Sequence, residues 1–157
     1  MSQPSPRQII REDFKIDLPI HGGWGFSRED ACVIDALDPT VSKEIPFDGV
    51  GVEYVFVEKR IYEQLIISRA PDEQMSGIKW KLNRQFLVDV DGRKFDHLVF
   101  DIEFLRDQDF DELKAAWEAN HGKNDFNVAA HLSRHESLLI RVQQEFWFDI
   151  TSFFNRN

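Results

Sequence analysis

The residues of this chain that could do chemistry are one cysteine, five histidines and a long acidic run. Cys32 becomes a nucleophile only beside a base, and His21 and His97 are the candidates. A small enzyme with a site assembled from the distant residues His21, Glu29, Cys32 and His97 is the catalytic reading this set allows. Against it, Ala31, Val33 and Ile34 surround the cysteine with apolar side chains, which predicts an inert buried thiol. Asp107, Asp109, Asp111 and Glu118 match positions one, three, five and twelve of a calcium loop. That loop needs glycine at its sixth position, where Glu112 stands, so the acids are read as a helix cap and an acidic first turn facing the helix dipole. His131 and His135 are spaced to share one helix face, but zinc needs three or four ligands and no H-E-x-x-H motif is present. Gly22-Gly23-Trp24-Gly25, ahead of Ser27 and Arg28, has the makings of a backbone nest for an anion. No P-loop lysine follows, so the expectation is a flexible turn that presents Trp24. No metal or cofactor is expected.

The chain carries 28 acids against 19 bases, a net charge of −9. That argues against a nucleic-acid backbone as partner, which requires clustered Lys and Arg. It suits a basic protein steered in by the field. Over residues 101–118 seven acids stand against two bases, Arg106 and Lys114, so −5 of the −9 lies in one strand end and one helix. The expectation is a non-enzymatic acidic binding protein. Its partner surface is Asp101, Glu103, Asp107, Asp109, Asp111, Glu112 and Glu118, with Trp24 as an aromatic anchor. The single cysteine rules out an internal disulfide framework and fits a reducing compartment. The opening M-S-Q-P-S-P-R-Q has no apolar signal core, and no run reaches membrane-spanning length. A cytoplasmic protein with no membrane partner is expected.

Elements must position these residues, and the clearest runs over residues 78–105. Ile78, Trp80, Leu82, Phe86, Val88 and Val90 alternate on a first arm, and Leu98, Phe100, Ile102 and Phe104 on a second. A two-residue Asp-Gly loop would pair Phe86 with His97 and set the two apolar rows on opposite faces. A three-residue loop, Val90-Asp91-Gly92, sets them on one face. Trp80 then lies opposite Ile102, Leu82 opposite Phe100, Lys81 opposite Asp101 and Lys79 opposite Glu103. The pattern therefore predicts the three-residue loop.

Around this hairpin, residues 1–8 read as a disordered tail and 9–157 as a single domain. Residues 12–17 read as a short strand, 19–26 as a loop, Ser27 with Asp30 as a capping box, and 31–36 as a buried strand. Asp48 caps a helix from Val50 to about Ile67, with Val52, Val55, Tyr62, Leu65 and Ile66 inward and Glu53, Arg60 and Gln64 toward solvent. Asp109 and Gly122 bound a helix whose buried stripe is Phe110, Leu113 and Trp117. Residues 124–136 read as a loop or short helix, and 138–150 as a long strand. The order of elements predicts an α+β fold, a largely antiparallel sheet built on the central hairpin with helices packed on one face.

Three strings, G-G-W-G-F-S-R-E-D at 22–30, K-R-I-Y-E-Q-L at 59–65 and E-F-W-F-D-I-T at 145–151, resemble small acidic bacterial proteins. Some of those families look like immunity proteins of toxin systems. The resemblance touches scattered pieces of the chain and carries over no site residue. It implies a bacterial protein that binds and blocks a toxin, often a basic nuclease, rather than one that catalyses.

Overall fold

Ser5 accepts a hydrogen bond from the Gln8 N–H (3.2 Å) and Pro6 takes the first helical position, so the chain enters helix α1 (Pro6–Phe14) almost at once. The computed structural model describes residues 3–154. Residues 1 and 2 of the expected tail lie outside that range, and residues 6–8 are helical instead. The strand expected over 12–17 is also overturned. Pro6, Ile10 and Phe14 are four apart, and the first two are buried, which is the spacing of a helix face. Arg7 anchors the helix, pairing with Asp17 (2.7 Å) and Asp38 (2.7 Å).

The remaining elements are β1 (Ile20–Gly22), β2 (Cys32–Ile34), α2 (Gly49–Tyr62), β3 (Met75–Val90), β4 (Arg93–Arg106), α3 (Asp107–Asn120), α4 (Val128–Leu138) and β5 (Ile140–Asp149). A π-helical stretch, Glu63–Ile67, follows α2. The expected cap of α2 is present, with Asp48 Oδ1 accepting from the Gly51 N–H (2.8 Å). The strands form one sheet in the order β1-β2-β5-β4-β3. β1 is antiparallel to β2, with Gly22 opposite Cys32, and β2 is parallel to β5, with Cys32 opposite Phe148. The class is α+β, with helices packed on a five-stranded mixed sheet. Between β4 and β5, His97 stacks on Trp147, Asp101 meets Gln143 and Glu103 meets Arg141. Each step forward on one strand is a step back on the other, so the pair is antiparallel.

The hairpin between β3 and β4 corrects the predicted register. Asp91 and Gly92 both have positive φ (52° and 81°), the signature of a two-residue type I′ turn. Asp89 pairs with Lys94, and the Phe86 ring lies 5.6 Å from that of His97. Both contacts belong to the two-residue register. The three-residue loop is overturned, and with it Lys81 opposite Asp101, Lys79 opposite Glu103, Trp80 opposite Ile102 and Leu82 opposite Phe100. The apolar rows do lie on opposite faces. The prediction assumed that both strands bury the same face. β4 is covered on both, with Phe95 and Val99 on one side and Leu98 and Phe100 on the other, whereas the edge strand β3 has no fully buried residue.

By its packing the chain divides into two compact units. The first comprises the residues up to Tyr62, Leu82–Phe100 and the residues from Gln144 onward. Its core lies beneath α2, where Phe56 meets Phe148 edge-on (5.5 Å) and Phe100 meets Phe146 (5.4 Å). The second comprises Glu63–Lys81 and Asp101–Gln143. It buries Leu65, Ile102, Phe104, Leu105 and Leu113. Gly77 holds φ at 61° where a β-carbon would stand 3.2 Å from the Phe110 ring.

Candidate interaction surface

In the second unit α3 follows β4 without a loop. It begins at Asp107, two residues before the predicted cap, and the Asp107 carboxylate accepts the Ser76 hydroxyl. Because residues 107–120 are helical throughout, the acids cannot form a calcium loop. Asp107 and Asp109 lie in the first turn, where the helix dipole favours them. Leu113 is the only buried residue of α3, and α4 has none. The predicted buried stripe is therefore corrected: Phe110 is half-buried and Trp117 is 40% exposed. Trp117 is nonetheless held in place. Its ring stacks on His121 (5.6 Å, 8°) and meets Phe126 (5.7 Å) and His131 (5.5 Å). On α4, Val128 and Leu132 are 45% and 59% exposed. Asn127 caps that helix by accepting from the Ala130 N–H (2.9 Å).

The predicted acidic residues of this unit fall into two sets. Asp101 accepts from Gln143 (2.9 Å), Glu103 faces Arg141 (3.6 Å) and Glu112 faces Arg134 (3.2 Å). These are partly neutralised where they stand. Asp109, Asp111 and Glu118 have no ion-pair partner among the described residues. Asp101, Glu103 and Arg141 line a groove of about 660 Å³ together with Trp80. Arg141 is also bound to Glu136 (2.6 Å), whereas Lys79 and Lys81, which line the same groove, have no ion-pair partner among the described residues.

The first unit holds the remaining candidates and separates them. Cys32 is fully buried, and burial, with Glu53 adding to it, pushes its thiol pKa up. His21 pairs across the ladder with Val33, the neighbour of Cys32, and so points to the other face of the sheet from the thiol. Glu29 is exposed beside Arg28, and His97 stacks on Trp147 (3.9 Å) while bonding to Glu145 (2.8 Å). These four do not assemble a site. His21 does line a shallow depression of about 410 Å³ with Arg93, Asp149, Thr151 and Ser152. There Arg93 pairs with Asp149 (2.6 Å), and the Ser152 hydroxyl donates to the Ile34 carbonyl (2.8 Å).

The glycine-rich turn is closed around its own anion. Asp30 Oδ2 accepts from the Phe26 N–H (3.3 Å), and a β-carbon on Gly23 would collide with that carboxylate. Gly25, at φ 81°, packs against the backbone of Trp147. Half of the predicted capping box forms, with Ser27 Oγ accepting from the Asp30 N–H (3.3 Å), but no helix follows. Trp24 is half-buried and packs on Phe56 (5.8 Å).

Sequence reasoning placed Glu53 and Arg60 toward solvent, and both are 1% exposed. The Arg60 guanidinium lies between the rings of Phe26 and Phe146, 3.9 Å from each. Its Nη1 donates to the carbonyls of Glu145 (2.8 Å), Trp24 (3.2 Å) and Gly25 (3.4 Å). Burial lowers its pKa to about 9, which leaves it charged at neutral pH. Glu53 is bound to Asp96, and its Oε2 has no hydrogen-bond partner among the described residues. One sequence signal was available: the two residues are seven apart, on one side of a helix with little polar–apolar contrast.

No family model, no curated protein and no solved structure matches the chain. Among the described residues, no helix is long and apolar enough to cross a membrane.

Proposed function

We propose that this chain is a non-enzymatic binding protein that presents the α3–α4 pair to a basic protein partner. The carrying observation is Trp117, exposed yet fixed by His121, Phe126 and His131, on a helix with five acids and one base. A rigid aromatic group loses little entropy on binding, and the surrounding acids steer a basic surface toward it. Val128 and Leu132 extend the apolar centre. The resemblance to immunity proteins gives the partner a class, a basic toxin held and blocked by this surface. The lone buried thiol fits a cytoplasmic setting for that role.

The test begins with affinity capture from the producing cell, followed by calorimetry on the purified partner. Binding should weaken with salt. Reversing Asp109, Asp111 and Glu118 to lysine should slow association, and Trp117→Ala should cost about 2 kcal/mol, roughly thirtyfold in Kd. A partner that binds all variants equally, or one that is acidic, would overturn the reading.

A further inference from the structure

β3 is the outer strand of the sheet, so one side of its backbone has no neighbouring strand among the described residues. The turn determines which groups lie there. Val90 and Arg93 flank the two-residue type I′ loop and face each other as a hydrogen-bonded pair. The even-numbered residues of β3 therefore bond to β4, and Gln85 and Leu87 direct N–H and C=O groups outward. Next to this edge Phe86 and Leu87 are 45% and 57% exposed.

We propose that this edge pairs with the same edge of a second copy of the chain, antiparallel about a two-fold axis at Gln85. The outward groups of Gln85 then bond to those of Gln85 in the second copy. Leu82 faces Val88 and Arg84 faces the Phe86 ring, each pair formed twice. At either end Lys81 faces Asp89. Lys81 has no ion-pair partner among the described residues, and Asp89 accommodates two cations because Lys94 lies on its other side. The chemistry selects this axis over its neighbours. An axis at Arg84 opposes two guanidinium groups, and one at Phe86 sets Arg84 against Val88. The recognition is thus self-recognition, with main-chain bonds supplying attraction and alternating side chains supplying register.

Sedimentation of the full chain across rising concentration tests this. The expected result is a doubling of mass for the wild type and monomer mass throughout for Gln85→Pro with unchanged circular dichroism. Proline at position 85 deletes only an outward N–H, which edge strands tolerate. Under mild oxidation Gln85→Cys should form a dimer that reductant reverses, since opposed Cα atoms lie about 5.5 Å apart. Cys32 is buried and contributes no background. A wild type of monomer mass at its highest soluble concentration overturns the proposal. So does a dimer that survives Gln85→Pro and gives no Gln85→Cys cross-link. Should Gln85→Pro fail to fold, the cross-link decides alone.

Discussion

Glu53 on α2 is hydrogen-bonded to Asp96 on β4, two carboxyl groups joined inside the first unit. Burial, and then Asp96, raises the Glu53 pKa from 4.5 to about 9, so Glu53 holds its proton in the folded state at neutral pH. The unfolded chain releases that proton near pH 4.5. Stability from this group is therefore complete below 4.5, declines as pH rises, and is gone above about 9. The slope is at most about 1.4 kcal/mol per pH unit. Glu53→Gln keeps a neutral donor toward Asp96. Its urea midpoint should be flatter than wild type between about pH 5 and pH 8, and higher at the alkaline end. A wild-type midpoint that climbs across this range, and a variant that follows it, would contradict the assignment.

Arg60 ties the turn at Trp24-Gly25 to β5 at Glu145. Arg60→Leu leaves buried carbonyls without a donor and should lower stability by roughly 2–5 kcal/mol. Arg60→Lys should recover little, because an ammonium cannot lie flat between two rings while reaching three carbonyls. Chemical denaturation of the three proteins checks this, and a lysine variant as stable as wild type would show that charge alone suffices.

The Cys32 thiol, buried between β1 and β5, should resist modification. In native buffer an aromatic disulfide reagent should react at the rate of global opening, and in denaturant at once. Fast labelling of the folded protein would mean that the first unit opens locally around β2.

The type I′ turn makes a specific demand on Gly92, whose φ is 81° and whose surroundings leave a β-carbon unobstructed. Gly92→Ala should therefore cost only the left-handed backbone term, about 1–2 kcal/mol. Asp91→Asn, which suits the first turn position, should be neutral or stabilising. Thermal unfolding of both variants tests the two-residue register, since the three-residue alternative makes no demand on residue 91.

What the sequence by itself determined is what neighbouring residues settle among themselves. Alternation marked the hairpin and β5, Asp48 marked the start of α2, and clustered acids marked α3 and the net charge. Strand period, capping and composition act over a few residues, so one chain read in order reveals them. Tertiary structure decided what is covered. It buried Glu53 and Arg60, exposed Trp117, and set the apolar row of β3 on the opposite face from that of β4. It also anchored the helix over residues 6–14, through Arg7 reaching Asp17 and Asp38. Burial depends on which distant element lies over a face, and an edge strand has a neighbour on one side only. No local pattern encodes that, and so the residues of the candidate surface were legible by charge but not by exposure.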